Sequence, residues 1–306
     1  MAMACMNQKE VCDMVSQDKA CMVNPESTSK LSALVRLLED ASPVVREAVT
    51  LEFASYGPGL SEDLRRLEGQ PNDADWKLLA KITAHHYRRR LRLAWPHWMN
   101  IPDDRARLER ALTLLAEFQN GPRWRPPLGD LLDRLAGEYL DREGAKSPEA
   151  LAGFLFREKG MQGVENGRFL PDHSNLAHVI ESGRGLPVSL VCIYLLVGAR
   201  TGLEIHACNW PRHFLARYRD ESGLFIVDPA NGGAVVDAET FLSMQGTSRE
   251  AAEAVISFEV DSAAIITRIL GNLARAYRAE NDEDNCLLAV DLLRNIESRM
   301  HADALC

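Results

Sequence analysis

Apolar residues recur at helical spacing over most of this chain, and give way to a period of two over one short stretch. Leu31, Leu34, Val35, Leu37 and Leu38 fit one face of a helix that Ser29 would cap. Ser42-Pro43-Val44-Val45-Arg46-Glu47 reads as a second helix start, with Ser42 as N-cap and Pro43 at the first helical position. Asp73 to Arg92 predicts a longer helix. Asp103 to Phe118 predicts an amphipathic one carrying Leu108, Leu112, Leu115 and Phe118. Gly121-Pro122 and Pro126-Pro127 then break the chain. Leu128 to Tyr139, Pro148 to Glu158 and Asn175 to Ser182 read as further helices.

The pattern changes after Gly183. Gly183 and Gly185 suit a tight turn, and Pro187 suits the first position of a helix. Val188 to Arg200 is apolar nearly all round, which predicts a buried helix, with Gly202 just past its end. Period-two runs follow at Leu203, Ile205 and Ala207, at Phe214, Ala216 and Tyr218, and at Leu224 to Val227. Asp220-Glu221-Ser222-Gly223 predicts a hairpin turn, and Asn231-Gly232-Gly233 a second turn before Val235-Val236. Pairing Arg219 with Leu224 would put Ala230 opposite His213 and make Asp228 a diagonal neighbour, within reach of a hydrogen bond. The amino end of the buried helix, with its free N–H groups, would complete a site there. Ala238 to Gln245 reads as a short helix, and Thr247 to Val260 as a helix followed by an extended link. Asp261 opens a helical hairpin that runs through Ile296, with its turn at Glu280–Glu283.

The fold class expected is α+β and mostly helical, with a buried helix packed on a small antiparallel sheet. Four segments are expected: a mobile tail over 1–28, a helical region over 29–125, a core over 126–245 and a C-terminal helical hairpin over 246–306. The first helical pair resembles one HEAT-type hairpin. Leu273-Ala274-Arg275-Ala276-Tyr277 and Ala289-Val290-Asp291-Leu292-Leu293 resemble one tetratricopeptide hairpin.

Charge and cysteine usage narrow the function classes. The 306 residues carry a formal net charge of −9, which argues against a dedicated nucleic-acid binder. His85-His86-Tyr87-Arg88-Arg89-Arg90-Leu91-Arg92, beside Trp95 and Trp98, offers a local basic surface, but its cations also suit a solvated helix end. The longest apolar run, Leu186 to Ala199, is short of the roughly 20 residues of a membrane-spanning helix. The Met- and Cys-rich start has no continuous apolar stretch of the secretory type. Seven scattered cysteines without a Cys-x-x-Cys pair fit a reduced, cytoplasmic thiol set. No cofactor and no metal centre are expected.

A buried helix, a strand, a histidine at the start of the next strand (here His213) and Asp-Pro at the end of the following one is the order of the transglutaminase-like (papain-like) superfamily. Arg184-Gly185-Leu186-Pro187-Val188-Ser189-Leu190, Asn209-Trp210-Pro211-Arg212-His213-Phe214-Leu215 and Val227-Asp228-Pro229-Ala230-Asn231-Gly232-Gly233 resemble its SirB-type branch. That branch is bacterial in type and joins such a core to tetratricopeptide-like helices. The resemblance covers Leu131 to Arg294.

The resemblance implies a Cys-His-Asp triad in which His213 and Asp228 match the histidine and aspartate. The cysteine position falls at or beside Pro187, which has no nucleophile. Ser189, Cys192 and Cys208 are the nearest substitutes. His173 and His206 are the extra ligands to consider for a metal. The cleft implied around the pair comprises Arg184, Gly185, Pro187, Ser189, Asn209, Trp210 and Asn231. The expected function is a non-catalytic protein that binds a peptide or protein partner through this former active-site cleft. The alternative is a cysteine- or serine-dependent amide hydrolase or acyl transferase with a displaced nucleophile, His213 as base and Asp228 as its orienter.

Overall fold

The computed structural model describes residues 25–56, 59–164, 169–211, 213–244 and 249–304. The N-terminal segment with Cys5, Cys12 and Cys21 lies outside them, as does Arg212. The chain divides into two compact units, Met1–Ile82 and Thr83–Cys306.

In the first unit, α1 (Pro25–Arg36), α2 (Pro43–Ser55) and α3 (Leu60–Arg65) precede the start of α4 (Asp73–Ala94). Helix α1 begins at Pro25, four residues before the expected cap at Ser29. Ser42 has the extended N-cap backbone ahead of α2, but its side chain makes no capping bond. Leu31, Leu38, Val49, Phe53, Leu64 and Leu79 form this unit's core.

The second unit runs from the end of α4 through a 3-10 turn (Trp95–Asn100), α5 (Asp104–Asn120), α6 (Leu128–Leu140) and α7 (Pro148–Ala152). Asp103 caps α5 by accepting from the Ala106 N–H at 2.7 Å, so this helix starts where its capping residue dictates. Helix α7 continues as a π-helix over Gly153–Glu158. The chain then forms β1 (Gln162–Gly163), a 3-10 turn (Pro171–Ser174), α8 (Leu176–Ser182), β2 (Arg184–Gly185) and α9 (Pro187–Arg200). Every residue from Val188 to Gly198 in α9 is buried, as expected for a helix apolar all round. Arg200 anchors its carboxyl end, donating to Glu109 of α5 at 2.7 and 2.8 Å and to Asp133 of α6 at 2.5 Å.

The sheet has the order β3-β4-β5-β6, all antiparallel, built from β3 (His206–Cys208), β4 (Leu215–Asp220), β5 (Gly223–Asp228) and β6 (Ala234–Asp237). Arg219 pairs with Leu224, as the hairpin pattern predicts, and Asp220 accepts from the Ser222 N–H at 2.7 Å to close the turn. Alternation gives the sheet two different faces. Ala216, Tyr218 and Val227 turn towards the core that surrounds α9. Cys208, Leu215 and Ile226 turn the other way, under α10 (Ala238–Ser243) and α11 (Arg249–Ser257), where Ala252 and Ile256 close a second apolar cluster.

Asp261 caps α12 (Ser262–Ala279), which forms a hairpin with α13 (Glu283–Ala304). Ile265, Ile269, Leu273, Leu288 and Leu292 bury the hairpin's apolar face in the same core as α9. The basic run at the end of α4 is paired with acids: Arg88 with Asp284 at 3.0 Å, Arg90 with Glu117 at 3.1 Å and Arg92 with Asp291 at 3.4 Å. These pairs favour the reading of a solvated helix end over a phosphate-binding surface. The fold is α+β and mostly helical. Among the described residues, no helix is long and apolar enough to cross a membrane.

Candidate functional site

His213 and Asp228 line one cavity of about 250 Å³, together with Trp210, Asn231 and an apolar wall. The wall consists of Leu215, Ile226, Ala234 and Val236 from the sheet and Phe241 and Met244 from the α10 region. Trp210 and Phe241 meet edge to face, with ring centroids 5.0 Å apart.

The local chemistry places the two polar groups. His213 does not head a strand as expected. It closes a turn in which its N–H donates to the Trp210 carbonyl at 3.0 Å, and β4 begins only at Leu215. The imidazole is consequently exposed. Asp228 ends β5 half-buried, and its Oδ1 accepts from the Ala230 N–H at 3.1 Å. It thereby caps the 3-10 turn Pro229–Asn231. That turn returns the chain through Gly232 and Gly233, both at positive φ, into β6. Among the described residues, no hydrogen bond or ion pair joins His213 to Asp228. The hairpin register is the one expected, but pairing of β4 with β5 stops at Ala216–Val227, so the ladder never extends to His213.

The other expected cleft residues separate. Asn231 and Trp210 line the cavity, whereas Arg184, Gly185, Pro187, Ser189 and Asn209 do not. Asp228 and Ile226 sit on the sheet face turned away from the α9 core, and α9 packs on the 229–231 turn while no residue of α9 lines the cavity. Arg184 and Asn209 are exposed, and Gly185 is buried in the short parallel pairing of β1 with β2. Pro187 is the first residue of α9, as expected, and is half-buried.

None of the three substitute nucleophiles faces the histidine through the cavity. Ser189 is fully buried and donates to the His173 carbonyl at 2.9 Å. The same carbonyl accepts from the Leu186 N–H at 3.0 Å, so this pair of bonds ties the 171–174 turn to the start of α9. Cys192 is fully buried in the core, and burial pushes its thiol up to about 12. Cys208 is buried beneath the second apolar cluster, and burial pushes it up to about 11. Neither thiol ionises readily near neutral pH.

The candidate metal ligands are engaged elsewhere. The His173 Nδ1 accepts from the Leu170 N–H at 3.1 Å, and the His206 Nε2 lies 3.2 Å from Glu204. Among the described residues, no group of three or more His, Cys, Asp or Glu side chains is arranged to hold a metal ion.

Sequence reasoning missed the apolar wall. Its signal was the period of two: Leu215, Ile226, Ala234 and Val236 share a face with Asp228 in the observed register.

A family model described as Transglutaminase-like superfamily matches residues 124–271. That span includes β1 to β6, α9 and the cavity. A UPF0162 protein of Xylella fastidiosa strain Temecula1 is 31% identical over 155 residues, covering 48% of this chain and 55% of the relative. Its counterpart in strain 9a5c is 31% identical over 144 residues, 45% of this chain and 51% of the relative. The chain therefore spans about half the length of the curated relatives it matches. No solved structure matches the chain. Over residues 124–271, which carry the helix, the sheet and the His213–Asp228 cavity, the chain is similar to the transglutaminase-like superfamily.

Proposed function

We propose that this is a non-catalytic transglutaminase-like protein that binds a peptide or protein partner through the cavity at His213 and Asp228. One observation carries the reading: among the described residues, the lining of the cavity that holds the histidine and the aspartate has no serine, threonine or cysteine. A general base needs an attacking group within hydrogen-bond reach. The buried, weakly acidic Cys192 and Cys208 supply none. What the cavity does offer is apolar area beside a few polar groups, the usual composition of a recognition site.

The three motifs and the C-terminal hairpin support assignment to the SirB-type branch, with α12 and α13 as a tetratricopeptide-like unit docked on the core. The paired arginines of α4 support a protein partner over a nucleic acid. The scattered cysteines, three of them buried and unpaired, support a cytoplasmic setting.

The test combines binding with turnover. Peptides selected by display on the immobilised chain should bind the wild type and not Val236→Arg, whose side chain would fill the cavity. Circular dichroism checks that the variant is folded. The same preparation should neither hydrolyse nor transfer the acyl group of a fluorogenic glutamine amide. Turnover that disappears in His213→Ala would overturn the proposal in favour of an amide hydrolase or acyl transferase.

A further inference from the structure

We infer that the occupant of this cavity is a basic side chain, Lys or Arg, presented by an extended segment of a partner polypeptide. The inference rests on the binding role proposed above and specifies its chemistry.

Three features carry it. The first is charge. Asp228 turns a half-buried carboxylate into the cavity, and among the described residues no cation pairs with it. One of its oxygens accepts a single N–H, from Ala230, which leaves most of its acceptor capacity free. A half-buried carboxylate in a cavity with apolar walls favours a cationic ligand over a neutral or anionic one.

The second feature is the wall. Trp210 and Phe241 stand edge to face at 5.0 Å, with Leu215 and Val236 beside them. The alkyl stem of Lys or Arg packs on such surface while its charged head reaches a polar group, and an aromatic face adds attraction for the cation. At about 250 Å³ the cavity is smaller than the roughly 300–1,000 Å³ that encloses a whole drug-sized ligand, so it suits one side chain.

The third feature is the sheet edge. Strand β6 ends the sheet order, and Ala234 and Val236 line the cavity from that strand. An extended peptide laid along β6 would gain main-chain hydrogen bonds while delivering one side chain to Asp228.

The probes are acetylated, amidated pentapeptides Ala-Ala-X-Ala-Ala with X as Lys, Arg, norleucine or Glu, and free butylammonium. Amide shifts of Ala230 and Asn231 and the Trp210 indole signal report binding to the full chain. The Lys and Arg peptides should bind at least about fivefold more tightly than the norleucine peptide, with the Glu peptide weakest. Asp228→Asn keeps an acceptor for the Ala230 N–H, so the turn survives; it should erase the preference for the cation and spare norleucine binding. Equal affinity for Lys and norleucine peptides overturns the basic side chain while leaving peptide binding intact. A preference that persists in Asp228→Asn also overturns it. Butylammonium binding as tightly as the Lys peptide overturns the choice of a polypeptide. Silence with every probe overturns this inference, whereas the display selection above decides the underlying binding role separately.

Discussion

Gly163 and Ala230 are in contact so close that a Cβ on Gly163 would stand 3.1 Å from the Ala230 Cβ and 3.2 Å from its carbonyl oxygen. Strand β1 is thereby pressed against the turn that Asp228 caps. Gly163→Ala requires the Ala230 backbone to give way by a few tenths of an ångström, because every near neighbour of the added Cβ belongs to that residue. A loss of about 1–3 kcal/mol in urea unfolding is expected, as for other overpacked positions. Peptide affinity should fall with it, because Asp228 moves with Ala230. A variant of unchanged stability whose Ala230 amide signal stays in place would contradict the packing described.

Ser189 is a structural hydroxyl. Ser189→Ala removes its bond to the His173 carbonyl, but that carbonyl keeps the Leu186 N–H as a donor. The cost should be about 1 kcal/mol, the usual net worth of one hydrogen bond. Binding at the cavity should be untouched. A folded Ser189→Ala protein that lost cavity binding would return Ser189 to the site.

The two buried thiols of the core unit's sheet and helix predict slow chemistry. Burial raises Cys192 to about 12 and Cys208 to about 11. Iodoacetamide at pH 8, read residue by residue by mass spectrometry, should modify both far more slowly in the native chain than in urea. Rapid native labelling of Cys208 would revive it as a nucleophile, since Leu215, its partner across the strands, lines the cavity.

Three histidines set a pH dependence. Burial lowers His86, His173 and His178 below the ordinary histidine value, and in His178 the nearby Arg125 adds to the effect while Asp172 opposes it. The unfolded chain then holds more protons than the folded one in this range, so stability rises with pH there. The contribution is complete above about 6.5 and declines as pH falls below that value. The urea midpoint should drop between pH 7.5 and 5.5. His178→Asn, which keeps an acceptor for Arg125, should flatten the drop. A midpoint flat across this window in the wild type would refute the assignment.

Much of this fold is legible in the sequence because local signals coincide with tertiary ones. Asp103, Asn175 and Asp261 each cap the helix they precede, and Arg219 pairs with Leu224 as the turn residues require. The α9 helix is buried all round because it is apolar all round. The site was less legible. His213 and Asp228 do share a cavity with Trp210 and Asn231, but linear adjacency of Pro187 and Ser189 to the motifs says nothing about which side of a sheet they reach. Side-chain direction in β5 is decided by register, and a strand residue one step along points to the opposite face. The turn at Trp210–His213 is decided by a backbone bond that no residue pattern announces.

The two-faced sheet has an evolutionary consequence. On β5 and β6, Val227 and Val235 contribute to the central packing, while Asp228, Ala234 and Val236 line the cavity. On the binding role proposed above, neighbouring codons would answer to different selective pressures, and substitution at alternate positions would change ligand preference while leaving the interior undisturbed. The trace of such divergence would be a comb of variable and constrained sites, one residue apart, along two short strands.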